Sequence, residues 1–122
     1  MSRDSNIDIY NLIKYLDLLV DSNLKNEGLL NVIFNRFCLK IPDNGTTWTE
    51  YLSKKKTINE NNEYEKGTML LGEHNNAGIV YSSNGCLKDS KIVYVNKESN
   101  ITMGNYNSQD FKYAILPRNW FF

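Results

Sequence analysis

The sequence predicts an α+β fold, with N-terminal helices packed on a C-terminal antiparallel β-sheet. Three observations carry this. Apolar residues recur at helical spacing over residues 7–20 and again over 29–38. After Gly67 the chain changes to short β-branched and aromatic runs separated by Gly- and Asn-containing turns. No helical stretch separates those runs, which is the pattern of an antiparallel rather than a βαβ sheet. At 122 residues the chain suits one domain spanning 1–122. Residues 1–6 and 57–66 are its expected flexible parts.

Residues 1–6 are polar. From Ile7 to Val20 a wide apolar face runs through Tyr10, Ile13, Leu16 and Val20, with Leu12, Tyr15 and Leu19 beside it. Ser5 or Asn6 is the expected cap, and Asp21, Ser22 and Asn23 end the helix. The second helix carries Leu29, Ile33 and Phe37 on one stripe and Leu30, Phe34 and Cys38 on the next, so it belongs at the centre of the fold. Pro42 stops it. Thr47 with Glu50 is a capping-box pattern, which predicts a short third helix reaching about Lys56, with Trp48, Tyr51 and Leu52 on one face. Residues 57–66 lack periodicity and read as a loop.

Five strands are expected beyond Gly67, at about 68–71, 77–81, 91–95, 100–103 and 111–116. Asn84-Gly85 is a strong hairpin signal. The closing Asn119-Trp120-Phe121-Phe122 is too aromatic for a loose tail and reads as packing on the sheet or as a partner surface.

Composition narrows the function. Fourteen basic side chains balance 14 acidic ones, so the basic excess of a nucleic-acid binder is missing. The run Lys54, Lys55, Lys56 is offset by Glu60, Glu63 and Glu65 and reads as a solvated helix end. No apolar run approaches the roughly 20 residues that span a bilayer, and no signal-peptide pattern opens the sequence. Neither nucleic acid nor membrane is an expected partner. Cytoplasmic synthesis is expected, with the final location left open and assembly into a virion or an envelope machine as one option. With two cysteines, Cys38 and Cys86, and one histidine, His74, the sequence offers neither a four-thiolate nor a two-histidine metal site. A single disulfide stays open beside the plainer reading of two buried thiols. No metal and no cofactor are expected.

The helix at 29–38 and the strands after it also carry a motif. Counting back from Ile41-Pro42, the sequence has Arg36, Phe34 and Gly28-Leu29, preceded by Lys25-Asn26-Glu27. Further on come Lys66-Gly67-Thr68-Met69-Leu70, then Asn76-Ala77-Gly78-Ile79-Val80-Tyr81, then Asn84-Gly85. This order and spacing resemble the papain-like NlpC-type cell-wall cysteine peptidases. In that family the central helix opens Asp-Cys-Ser-Gly-Leu and exits through Leu-Pro, and Pro-Gly-Asp-Leu and His-Val-Gly-Ile-Tyr strands follow. The resemblance spans about residues 7–116. It puts Asn26 on the catalytic cysteine, Lys25 and Glu27 on its neighbours, and Asn76 on the histidine, with a third catalytic position somewhere in 88–96.

The resemblance implies a papain-like fold in which a thiolate at a helix N-terminus attacks an amide of the peptidoglycan stem peptide while histidine moves the proton. A carboxamide is neither nucleophile nor base, so two asparagines at those positions imply a pseudoenzyme. Asn26 and Asn76 are then either a helix cap and a turn residue, or the lining of a retained cleft. In the second case Asn26, Glu27, Trp48, Tyr51 and Asn76 are the candidate ligand-binding residues for a stem peptide or glycan. Trp48, Tyr51, Tyr81, Tyr106, Trp120 and Phe122 are candidate sugar-stacking aromatics, with core packing as the plainer role.

The expected function is a catalytically inactive NlpC-like binding or structural module, at peptidoglycan or within a phage tail or cell-envelope assembly. One alternative is an active, divergent cysteine hydrolase using Cys38 or Cys86. Another is a subunit that docks a protein partner, or a copy of itself, through Trp120, Phe121 and Phe122.

Overall fold

The computed structural model describes residues 2–24, 29–37, 55–72 and 76–119, with residues 2–8 and Asn31, Phe34 and Asn35 described by backbone alone. Two helices, α1 (Ser2–Leu19) and α2 (Leu29–Arg36), precede six strands: β1 (Lys56–Thr57), β2 (Met69–Leu71), β3 (Ala77–Asn84), β4 (Cys86–Val95), β5 (Ile101–Asn105) and β6 (Tyr113–Ile115). The strands form one sheet in the order β1-β6-β2-β3-β4-β5, and every pairing is antiparallel. The α+β class holds, with helices first and strands second.

The helix α1 begins at Ser2 rather than at a cap on Ser5 or Asn6, so the polar opening residues continue the helix. Its buried stripe is also turned from the expected one. Leu12 and Leu16, four residues apart, are fully buried, with Ile9, Ile13, Leu19 and Val20 packed around them, whereas Tyr10 is 64% exposed. A wide apolar face leaves two phases open, and contact with the sheet chooses between them. The chain leaves α1 through Asp21, whose positive φ of 75° is a conformation that Asp tolerates at a helix end. It then runs along the sheet margin, where the Asp21 N–H donates to the Ile101 carbonyl at 2.8 Å.

On α2, Leu29 and Ile33 are buried as their shared stripe predicts. Arg36 in the last turn suits the negative end of the helix dipole. Its guanidinium lies 5.5 Å from the ring centroids of Tyr15 and Phe37, which meet edge to face at 6.0 Å and tie the end of α2 to α1.

Where the third helix was expected to end, Lys56 and Thr57 pair with Ala114 and Tyr113 instead. The rest of that expected helix lies outside the described residues. Tertiary pairing overrides a weak local preference here. The following stretch is irregular, as expected for 57–66, but it is tied down. Leu87 donates to the Asn62 carbonyl (2.9 Å), Lys88 to Glu60 (3.1 Å) and Ile58 to Lys112 (3.0 Å).

Strand periodicity splits the core into two layers. Met69, Leu71, Ile79 and Ile115 face the helices and join Leu12, Leu16, Leu29 and Ile33. On the other face Leu70, Val80, Ile92, Phe111 and Ala114 cluster with Leu87, Ile58, Tyr64 and Tyr106. The all-apolar run of β2 follows from this, since both its faces are covered. The Asn84-Gly85 turn joins β3 to β4 as its sequence predicts, with Gly85 at φ 91°. The strand before it carries register shifts after Val80 and after Ser82. β4 is longer than expected, starting at Cys86 rather than about 91.

Tyr81 on β3 donates its phenol to the Asp17 carboxylate of α1. That hydrogen bond, then burial and the carboxylate charge, hold the phenol above its usual range. The folded state therefore keeps the proton more tightly than the unfolded one. The contribution is fully present below the unfolded value of about 10 and is lost as pH rises through the folded-state value. At this exposed site Tyr81→Phe is expected to cost about 0.5–1 kcal/mol at neutral pH. Urea melts of the two proteins should converge in strongly alkaline buffer.

Candidate functional site

Of the residues proposed from sequence, Asn26, Glu27, Cys38, Trp48, Tyr51, His74, Trp120, Phe121 and Phe122 lie outside the described residues. Asn76 and Cys86 do not. Asn76 is exposed at the entrance to β3, and its carbonyl accepts the Gly72 N–H at 2.9 Å. Ala77, Ile79 and Tyr81 point toward the helices, and Gly78 packs against Phe111 and Ile92 on the far side. Period-two alternation therefore aligns Asn76 with Gly78, on the face away from α2. Local geometry agrees: a Cβ built on Gly72 would lie 3.3 Å from the Asn76 Cβ and beside the Asp110 carbonyl, again on that side. Ala77 is the residue at this end of β3 that packs with the helices.

Cys86 follows the hairpin glycine, half-buried and free. Its thiol donates to Asp89 Oδ2 at 3.2 Å, and its carbonyl accepts from Ser90 Oγ at 2.9 Å. Reactive cysteines sit beside an imidazole, a cation or a helix N-terminus. This one has a carboxylate as its hydrogen-bond partner, from its own strand. Among the described residues no group of three or more His, Cys, Asp or Glu is placed to hold a metal ion.

A concave feature of the described surface lies elsewhere, beside the β1–β6 ladder and mainly on the sheet face opposite the helices. It is a groove of about 350 Å³ lined by Thr57, Ile58 and Glu60 on one bank and by Tyr106, Ser108, Phe111, Lys112 and Tyr113 on the other. Two long-range pairings build it. The β1–β6 ladder, continued by Ile58 donating to the Lys112 carbonyl, brings the banks together. The second bank is held by an Asx turn, with Gln109 N–H on Asn107 Oδ1 (2.9 Å) and Asp110 N–H on the Asn107 carbonyl (3.1 Å). It is anchored on β2 by Lys112 N–H to the Leu71 carbonyl at 2.7 Å.

Phe111 forms the floor, 5% exposed, with Tyr106 stacked on it at 6.2 Å and 28°. Burial, then the nearby Glu60 carboxylate and Tyr64, push the Tyr106 phenol above its usual range. It is thus a neutral hydrogen-bonding group over the whole physiological pH range. Lys55 Nζ lies 4.1 Å from the Tyr113 ring centroid, at the outer margin. Aromatic walls with hydroxyl, carboxylate and ammonium groups at the rim suit a small polar ligand with an apolar face.

Tyr106 stood among the sequence candidates as an aromatic. Phe111, Tyr113, Glu60 and Lys112 did not, because nothing local marks residues that meet only through a ladder between positions about 57 and 113. No protein-family model, characterised protein or solved structure matches this chain.

Proposed function

We propose that the chain is a catalytically inactive, NlpC-like binding or structural module, and that it holds a cell-wall saccharide or stem peptide without cleaving it. The groove is the observation that carries this reading. It combines aromatic surface from Tyr106 and Phe111 with polar groups from Thr57, Glu60, Ser108 and Lys112, and has no thiol or imidazole among its lining residues. The succession of α1, α2 and an antiparallel sheet, with Gly78-Ile79 on β3, supports the papain-like arrangement. Asn76 and the groove share the face away from α2, so this ligand surface does not depend on Asn76 meeting the N-terminal end of that helix. In this reading the module works within a larger device, such as a phage tail or a cell-envelope assembly, that needs adhesion to the wall rather than its hydrolysis.

One assay tests both parts. Insoluble peptidoglycan is incubated with the protein, pelleted, and the supernatant analysed for released fragments. The wild type should co-sediment and release nothing. Ser108→Trp, which fills the groove from an exposed position, should weaken co-sedimentation by about tenfold or more with an unchanged melting temperature. Release of fragments would refute the inactive reading; binding indifferent to Ser108→Trp would refute the groove.

A further inference from the structure

The two margins of the sheet differ in a way that points to a partner. At one margin stands β1, two residues long, with Lys56 in it and Lys55 before it, a short and charged edge of the kind that resists pairing. At the other stands β5, in the middle of residues 99–109, which include no charged side chain.

Ladder alternation decides which β5 groups face outward. In an antiparallel pair, successive residues direct both backbone groups toward the partner strand, then both away from it. Asn96 N–H donates to the Asn100 carbonyl (2.9 Å) and Tyr106 N–H to Ser90 (3.3 Å). With the β4–β5 register, this makes Thr102 and Gly104 bond inward and leaves Ile101, Met103 and Asn105 facing out. Ile101 is taken: its carbonyl accepts from Asp21 and its N–H donates to the Ser22 carbonyl, both at 2.8 Å. No backbone hydrogen bond from a described residue meets the outward groups of Met103 and Asn105.

We propose that this open length of β5 pairs with the same length of a second copy of the chain, antiparallel about a two-fold axis at Gly104. In that register Met103 of each copy exchanges both backbone hydrogen bonds with Asn105 of the other, so four groups per copy are satisfied at once. Gly104 meets Gly104 at the non-hydrogen-bonded position, where the strands lie closest, with Tyr94 of its own copy lying over each glycine. A symmetric interface sets each group against its own kind, so a charged edge would repel itself. β5 itself carries no charge, and the Lys91 ammonium beside it is held on Asn105 Oδ1 of its own copy at 2.9 Å. The pairing is also bounded. Residues 21–24 close the edge at Ile101, and the turn at Asn107 takes the chain away at the other end. With Lys55 and Lys56 on the opposite margin, assembly stops at two.

The test uses the full chain in analytical ultracentrifugation and hydrogen exchange between about 10 µM and about 1 mM, the span suited to a small interface. The protein should shift from monomer to dimer, with exchange at the Met103 and Asn105 amides slowing in step while Thr102 and Gly104 stay equally protected. Asn105→Pro removes one outward N–H and no inward bond, so it should abolish the dimer. Asn105→Ala loses only the side-chain bond from Lys91 Nζ (2.9 Å) and should keep it. Three results would overturn the proposal: a monomer at 1 mM, concentration-independent protection of Met103 and Asn105, or a dimer that survives Asn105→Pro and so docks through another surface. The exchange data on the wild type decide the matter even if the proline variant does not fold.

Discussion

Gly72→Ala is expected to destabilise the protein by about 3 kcal/mol, at the upper end of ordinary overpacking costs. Gly72 follows β2, where the chain begins its turn toward Asn76. A Cβ at this position would lie 1.9 Å from the Asp110 carbonyl oxygen and 2.9 Å from its carbon. Both are backbone atoms, so no rotamer change relieves the overlap. Relief requires the 107–110 turn to move outward by more than an ångström. That turn leads into Phe111, the groove floor, and Lys112, whose N–H holds the Leu71 carbonyl. The same shift therefore loosens the β2–β6 ladder and opens the groove. In urea denaturation the midpoint should fall with little change in slope, since the surface exposed on unfolding is nearly the same. A thermal melt should drop by about 10 °C. Ligand affinity should fall even in the folded fraction, because Tyr106 and Phe111 lose their mutual placement. A wild-type melting temperature would mean that the close approach of these two segments is not a feature of the folded protein.

Much of this fold is legible from local pattern, and the exceptions share one cause. β2, β3 and the Asn84-Gly85 hairpin follow from short apolar runs and a dipeptide that favours positive φ, which depend on few neighbours. The helix α2 is legible through Leu29 and Ile33, which share one of its two apolar stripes and are both buried. The α1 stripe is not, because Tyr10 and Leu12 both fit a helical period and only the sheet decides between them. β1 is invisible for a stronger reason. Lys56 and Thr57 become a strand only because β6, more than fifty positions later, inserts between them and β2. The groove inherits that invisibility, since the same ladder makes its banks. Asn76 shows a further limit: motif spacing places it at the entrance to β3, but the face it occupies depends on a one-residue pleat phase that spacing does not fix.

Ile33→Ala is expected to cost about 3–4 kcal/mol, and its consequences separate the two ligand surfaces this fold could offer. α2 has only eight residues, too few to hold helical structure alone in water. Its described attachment to the helix-side core runs through Leu29 and Ile33, with Leu30, Val32 and Phe37 packed beside them, and Ile33 is wholly buried in the cluster that holds Ile79 and Leu16. Truncation to alanine removes three carbons and leaves a cavity that a short, doubly anchored helix can only partly close. Ile33→Val removes one carbon and should cost about 1 kcal/mol. Hydrogen exchange should report the larger change as local opening of residues 29–36 well before global unfolding. Since α2 lies on one face of the sheet and the groove on the other, a ligand seated between Glu60 and Tyr106 should bind the folded Ile33→Ala protein with unchanged affinity. A ligand seated at the N-terminal end of α2 would be lost together with the helix. Affinity measured on this one variant, at a temperature where it remains folded, thus assigns the site to one face of the sheet. Weakening in proportion to α2 exchange would move the binding surface off the groove and back to the helix.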